Sequence, residues 1–173
     1  MYEKLDIYDE NRIKTGKIIE RKEDISLEKN ELILAVQCWI INSKNEILLT
    51  QRNFEKKLGG MWEPTSGLAK SGESSIQGIK RELKEEIGIE IEDKDLKLLK
   101  TVIDEKTIRD IYIINKDIAI EDIKYNDGEV INAKYVTIEE FENLIESGEA
   151  FEWLKWFIEY YYKIIKQKEI GET

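Results

Sequence analysis

Histidine is absent from the 173-residue sequence, and cysteine and proline occur once each. Without histidine the chain lacks the commonest general base, any Ser-His or Cys-His nucleophile pair and nearly all ordinary zinc sites. The one cysteine, Cys38, cannot form an internal disulfide, and its place in the apolar run LILAVQCWII indicates a core residue. Chemistry in this chain must therefore use carboxylates, lysines, tyrosines or metal-bound water.

Long apolar runs and an excess of positive charge are also missing. No stretch approaches the roughly 18 apolar residues that cross a bilayer, and the start, MYEKLDIYDE, is too acidic for a signal peptide. The net charge of −10 argues against an extended nucleic-acid surface and against polybasic docking on membranes. We expect a cytoplasmic protein with neither kind of partner.

The order of segments favours a layered α/β or α+β fold. A chain of this length is most simply one domain, residues 1–173, with an N-terminal hairpin extension in 1–30. Strands are predicted for residues 32–41, 46–52, 61–63, 96–103, 109–115 and 129–136, the first two pairing as neighbours. Helices are predicted for residues 74–87, 137–148 and 151–168, the last packed on the domain.

The helix predicted for residues 74–87 carries three glutamates close together. Its apolar residues recur every three or four positions, and Gly88 is placed to end it. At 100° per residue Glu82, Glu85 and Glu86 share one sector beside that apolar stripe, so they should face one point.

Two interpretations of this acidic sector are open. One is a solvated helix face, which is common in a chain with 37 acidic residues. Like charges at these spacings cost about 0.2–0.5 kcal/mol per pair, however, and Arg81, four residues before Glu85, is the one cation well placed to offset this. A divalent cation such as Mg²⁺, which prefers carboxylate oxygens, would remove the repulsion.

The stretch around this helix resembles the Nudix box at every defined position. Gly67 is followed after five residues by Glu73, and after seven more by RELKEEIGI, residues 81–89. The order of strands is also similar to that of the Nudix α/β/α sandwich, in which a mixed β-sheet lies between helices. The resemblance implies an α/β fold and a pyrophosphohydrolase that attacks a diphosphate with metal-held water.

The resemblance also implies roles for particular residues. Arg81 would orient a catalytic glutamate by ion pairing, and Glu73 would support the loop. One to three Mg²⁺ or Mn²⁺ ions would be held by the carbonyl of Gly67 and by Glu82, Glu85 and Glu86.

The general base implied by the resemblance is either a glutamate of the box, Glu82, or a glutamate in a later loop. Glu129, in NDGEVINAKYV, lies where that outlying glutamate commonly sits, and Asp127 and Glu121 are its rivals. Glu129 as a surface residue at a strand edge is the other interpretation.

Cations between the second strand and the box are candidates for binding substrate phosphates. They are Arg52, Lys56 and Lys57, although lysines near a glycine turn are more often only solvated. Trp62 in the same stretch either stacks on a base or, as we expect, packs under the loop.

The substrate implied by the family is a nucleoside diphosphate derivative. Both the N-terminal stretch and KLGGMWEPTSG look like the Nudix subgroup related to isopentenyl diphosphate isomerase. Isomerase chemistry does not fit, because its reactive cysteine is replaced by Ser66 and its histidine ligands are missing. A non-catalytic module that binds a diphosphate metabolite is the alternative from another class.

The predicted C-terminal helix has one aromatic face. Residues at spacings of three and four form it, and core packing is the expected use, with a homodimer contact as the alternative. They are Trp153, Trp156, Phe157, Tyr160 and Ile164.

Overall fold

An N-terminal β-hairpin leads into the main sheet. The computed structural model describes residues 2–22 and 25–171, with side chains up to Ile164. Strands β1 (Lys4–Tyr8) and β2 (Lys14–Glu20) pair antiparallel, which confirms the predicted hairpin. Buried Leu5 and Ile7 pack the hairpin against Ile33 at the start of the next strand.

A mixed sheet of seven strands forms the centre of the molecule. The strands are β3 (Ile33–Ile41), β4 (Ile47–Arg52), β5 (Trp62–Glu63), β6 (Thr65–Leu68), β7 (Lys97–Ile103), β8 (Thr107–Asn115) and β9 (Val130–Val136). Strand β3 pairs parallel with β8 and antiparallel with both β4 and β6, and all its residues are buried. The predicted pairing of the first two strands is confirmed, whereas β6 forms where the sequence indicated only loop.

Helices cover both faces of this sheet. They are α1 (Ser75–Ile87), α2 (Ile138–Glu146) and α3 (Trp156–Gly171). On β3, Cys38 faces the cluster that α1 completes, and Trp39 faces the cluster built by α2 and α3. The α/β/α sandwich is therefore confirmed. In the part of the chain that the structure describes, no helix is long and apolar enough to span a membrane.

The ends of α1 follow from capping residues. The Ser74 side chain accepts a hydrogen bond from the Gln77 backbone N–H, and the Gln77 side chain accepts one from the Ser74 N–H. This reciprocal capping box satisfies backbone donors that a helix start leaves without partners. Gly88 ends the helix with φ of 71°, as expected for a left-handed cap.

The last helix begins later than predicted. Residues 151–155 are not α-helical, because Trp62 pairs with Ala150 and its N–H donates to the Glu149 carbonyl, which holds the chain extended. A short 3₁₀ turn then precedes α3 and leaves Trp153 47% exposed, outside the predicted apolar face. Phe157 is fully buried and stacks on Trp39 with ring centroids 3.6 Å apart, which confirms core packing for the rest of this face.

Two predictions about single residues in the core are confirmed. Cys38 is 1% exposed, and burial raises the pKa of its thiol well above the ordinary value, so it stays protonated. Trp62 is 6% exposed and packs under the loop, with the Lys134 ammonium 4.1 Å from its ring centroid.

Asp6 connects the hairpin to the loop before α1, and we expect its loss to weaken the fold at neutral pH. Burial raises the pKa of Asp6, but hydrogen bonds from Gly72, Lys14 and Ser71 outweigh it and lower the pKa from 3.8 to about 2. Asp6→Asn should reduce the free energy of unfolding by about 1 to 2 kcal/mol at pH 7.

A carboxyl group whose pKa is lower in the folded state stabilises the fold at pH values above its pKa in the unfolded chain. For Asp6 this stabilisation is lost as the pH falls from about 4 to about 2. Urea unfolding at several pH values should therefore show the difference between Asp6→Asn and the wild type shrinking over that range. The exposed Asp122→Asn is the control. A difference that stays constant with pH would contradict this role for the Asp6 charge.

Candidate active site

Strand β6 brings the first residue of the box against helix α1. Gly67 pairs with Val36 of the central strand β3, and its backbone lies directly over the Glu82 side chain. A Cβ placed on Gly67 would lie 2.2 Å from both Cδ and Oε1 of Glu82. Glycine is therefore required here by the close approach of a glutamate.

Arg81 connects the box loop to the glutamates. Its Nε and Nη2 donate to the two Glu73 oxygens at 2.7 and 3.0 Å, and Nη2 also donates to the Leu68 carbonyl at 2.8 Å. Its Nη1 donates to Glu82 Oε1 and to Glu85 Oε2, both at 2.8 Å. All the N–H donors of the guanidinium are used, so Arg81 fixes the loop and two carboxylates together.

Burial controls the protonation of two of the three glutamates. Burial raises the pKa of Glu82 to about 7, although the Arg81 charge acts in the opposite direction. Glu86 is equally buried, and its pKa is raised well above the ordinary value by burial and by the charges of Glu82, Glu63 and Asp127. Neither charge is fully balanced by the side chains around it.

Two of the three glutamates that the helical spacing predicted to face one point meet at Arg81. Among the described residues, no group of three acidic side chains is already arranged to hold a metal ion. Arg81 holds Glu82 and Glu85 at the same nitrogen, where the guanidinium offsets their charges. Lys70 also contacts Glu85, at 3.3 Å.

The donor set nevertheless fits a hard divalent cation. Glu86 Oε2 is buried and has no hydrogen-bond partner in the structure. A buried carboxylate oxygen without a partner is costly, and a cation would satisfy it. The missing side chain at Gly67 keeps the backbone open beside Glu82. These two features suit carboxylate and carbonyl ligation of Mg²⁺ or a similar ion.

Glu63 is a fourth carboxylate near the site that the sequence reasoning missed. It is 9% exposed, burial raises its pKa, and its charge raises the pKa of Glu86. Its partner is Arg52, whose Nη1 donates to Glu63 Oε1 at 2.7 Å. A glutamate within the apolar and turn-forming run MWEPTSG was the signal available in the sequence.

The candidate bases lie at the edge of the site. Glu129 is partly exposed, its Oε1 is 3.8 Å from Lys56 Nζ, and its charge acts on Glu63. Asp127 affects the pKa of Glu86, and its side chain accepts the Glu129 backbone N–H. Glu121 is exposed in a 3₁₀ turn.

The predicted phosphate-binding cations share one open cleft with Glu129. Arg52, Lys56 and Lys57 line it, together with residues of the N-terminal hairpin. Arg52 is already paired with Glu63, and Lys57 is exposed. The structure thus brings these three residues together beside the box, near Leu68, which lines the same cleft.

Arg81→Gln should lower the free energy of unfolding by about 3 kcal/mol, because it leaves the partly buried Glu73 and Glu82 without their cation. Urea unfolding in EDTA measures the loss. Lys80→Gln, which removes a more exposed partner of Asp93, should cost less than about 1 kcal/mol. Equal losses in the two variants would contradict a structural role for the Arg81 network.

Glutamates of helix α1 thus face the backbone of a strand of the mixed sheet, with the closest approach at Gly67. The family model described as NUDIX domain matches residues 31–157. The chain therefore belongs to the Nudix family and is a hydrolase of pyrophosphate bonds.

Individual proteins agree with this assignment. The chain is 35% identical over 149 residues to an uncharacterized Nudix hydrolase of Listeria monocytogenes, covering 85% of this chain and 87% of that one. A crystal structure of a Deinococcus radiodurans protein matches with a TM-score of 0.74 at 21% identity, over 92% of this chain and 99% of that one. The second likeness concerns the fold alone.

Similarity to the isomerase subgroup is partial. Over 85 residues the chain is 38% identical to an isopentenyl-diphosphate Delta-isomerase of Pectobacterium atrosepticum, which covers 48% of this chain and 46% of that one. The subgroup resemblance therefore rests on about half of the chain.

Proposed function

We propose that this Nudix hydrolase is a metal-dependent pyrophosphohydrolase that cleaves a diphosphate linkage in a nucleoside diphosphate derivative. The observation that supports metal dependence most directly is the buried oxygen of Glu86 that has no partner. Glu82, Glu85, Glu86 and the carbonyl of Gly67 would hold Mg²⁺ or Mn²⁺. Such an ion, when bound, lowers the pKa of a water and neutralises charge on the phosphates.

Residues around these ligands would orient them and move the proton. Arg81 holds Glu82 and Glu85 at one nitrogen, and Glu73 fixes Arg81 from the loop. Glu129 is the proposed general base, because its partly exposed carboxylate can accept a proton from water without giving up a ligand role. Glu82 is the alternative base within the box.

Substrate phosphates would be bound by the cations of the cleft. Lys56 and Lys57 line the cleft and would attract an anionic ligand, and Arg52 would contribute alongside its pairing with Glu63. The cytoplasmic location, a single domain over residues 1–173 and a possible homodimer are further proposals.

A panel of nucleoside diphosphate derivatives tests this function. The protein is incubated with each compound and Mg²⁺ or Mn²⁺, and the products are separated to show which phosphate bond breaks. Release of a nucleoside monophosphate together with a phosphorylated second product is expected, and EDTA should abolish it. Cleavage that persists in EDTA would contradict metal dependence.

A non-catalytic binding module is the second candidate. The observation in its favour is that Arg81 pairs with both Glu82 and Glu85 and offsets part of their charge. Calorimetric binding of a panel compound without any turnover in Mg²⁺ or Mn²⁺ would identify a binder and exclude the hydrolase.

A further inference from the structure

The described lining of the cleft beside the box has a charge opposite in sign to that of the whole protein. The cleft volume is about 850 Å³, and among the lining residues that the structure describes five are cations and two, Glu3 and Glu129, are carboxylates. The full chain carries a net charge of −10. A local positive surface of this kind attracts an anionic ligand.

The N-terminal hairpin supplies two of the five cations. Arg21 and Lys22 follow β2 directly, whereas Arg52, Lys56 and Lys57 belong to the opposite wall, at the end of β4 and in the turn after it. The hairpin is therefore one side of the cleft.

Arg21 is held in place and lies within electrostatic reach of the box. Its Nη1 donates to Glu3 Oε2 at 2.8 Å, and its backbone N–H donates to the Glu3 carbonyl. The other Glu3 oxygen is 2.9 Å from Lys70 Nζ, which in turn contacts Glu85. Arg21 is therefore linked to a glutamate of the box through Glu3 and Lys70. A ligand in contact with Arg21 is thus beside the carboxylate helix.

We propose that Arg21 and Lys22, together with the cations of the opposite wall, form an anion-binding subsite for a phosphorylated group of the substrate beyond the bond that is cut. This proposal rests on the proposed function and narrows its substrate class. Metal ions at the glutamates can neutralise the diphosphate that is cleaved. The cations of the cleft then remain available for additional phosphate charge, so the favoured substrates carry a further phosphate.

Binding of inorganic tripolyphosphate to the full chain in EDTA tests this subsite separately from hydrolysis, because no metal is present at the glutamates. Calorimetry at low salt should give saturable binding that is tighter than that of orthophosphate and that weakens as salt is added. Arg21→Ala and Lys22→Ala should each raise the Kd about tenfold.

Two further variants make the test specific. Glu3→Gln should tighten binding, because it removes a negative charge from the cleft and frees Arg21 while keeping the cation. If binding depended only on an intact hairpin, which the Glu3–Arg21 contact supports, the same change would weaken binding instead. Lys44→Ala should leave the Kd unchanged. Lys44 is exposed and lies in the turn before β4, at the end of that strand opposite to Arg52.

Three results would overturn the subsite. They are the absence of saturable binding at low salt, tripolyphosphate binding no tighter than that of orthophosphate, and a Kd unaffected by both Arg21→Ala and Lys22→Ala. Each is compatible with normal metal-dependent hydrolysis. Conversely, tripolyphosphate binding with these variant effects in a protein that hydrolyses nothing would support the subsite and reject the proposed function.

Discussion

Glu85→Gln and Glu86→Gln should each reduce kcat at least about a hundredfold. Each change removes one anionic oxygen ligand, and a metal ion supplies several kcal/mol of charge stabilisation to the transition state. The measurement is turnover of the best substrate of the panel at saturating Mg²⁺. Glu90→Gln should retain full activity, because Glu90 is exposed, lies just after the helix and pairs only with the exposed Lys84 among the described residues.

The fold should survive both changes, and one of them should strengthen it. Glu86 is buried with an oxygen that has no partner, so Glu86→Gln should raise the free energy of unfolding in EDTA by about 1 kcal/mol. Glu85 is partly exposed, and the loss of its contacts with Arg81 and Lys70 should cost less than about 1 kcal/mol.

Added Mg²⁺ separates a ligand role from a purely structural one. Because an ion that binds only the folded state stabilises it, Mg²⁺ should raise the Tm of the wild type and of Glu90→Gln but much less that of the two active-site variants. Full activity in both Glu85→Gln and Glu86→Gln would sink the metal-ligand assignment.

Gly67→Ala should reduce kcat/KM about a hundredfold and also lower the free energy of unfolding, because the displaced Glu82 is bonded to Arg81. The new Cβ would lie 2.2 Å from Glu82 Cδ, and the side chain of Glu82 is the part that can move away. A displacement of about 1 Å at a reacting group costs roughly a hundredfold in rate. Steady-state kinetics and urea unfolding give the two values.

A double-mutant cycle shows whether the effect of Gly67→Ala passes through Glu82. If it does, adding Gly67→Ala to Glu82→Gln should cost much less than it costs in the wild type, because the displaced carboxylate is already gone. Fully additive losses would mean that the glycine acts through some other contact.

The carboxylate helix could be predicted from the sequence because its signals are local. The apolar spacing, the glycine stop and the glutamate positions all lie within residues 74–88, and helix geometry converts spacing into facing directions. Its start at Ser75 and its end before Gly88 agree with the prediction. Helix α2 likewise begins at a local signal, the reciprocal capping box of Thr137 and Glu140.

Contacts between distant segments were not predictable in this way. Strand β6 exists because its residues pair with β3, some thirty positions earlier, and its own sequence reads as a turn. The late start of α3 depends on Ala150 pairing with Trp62. The aromatic spacing alone indicated a longer helix, since it contains no information about that pairing.

The sequence by itself determined the Nudix family, the layered fold and which glutamates lie together on helix α1. These features depend on residue types at fixed local spacings. Only the tertiary structure decided how the charges are distributed among them. It placed Arg81 between Glu82 and Glu85, paired Arg52 with buried Glu63, and brought Arg21 to the cleft. Charge pairing and burial depend on which distant side chains meet, and a linear spacing does not specify that.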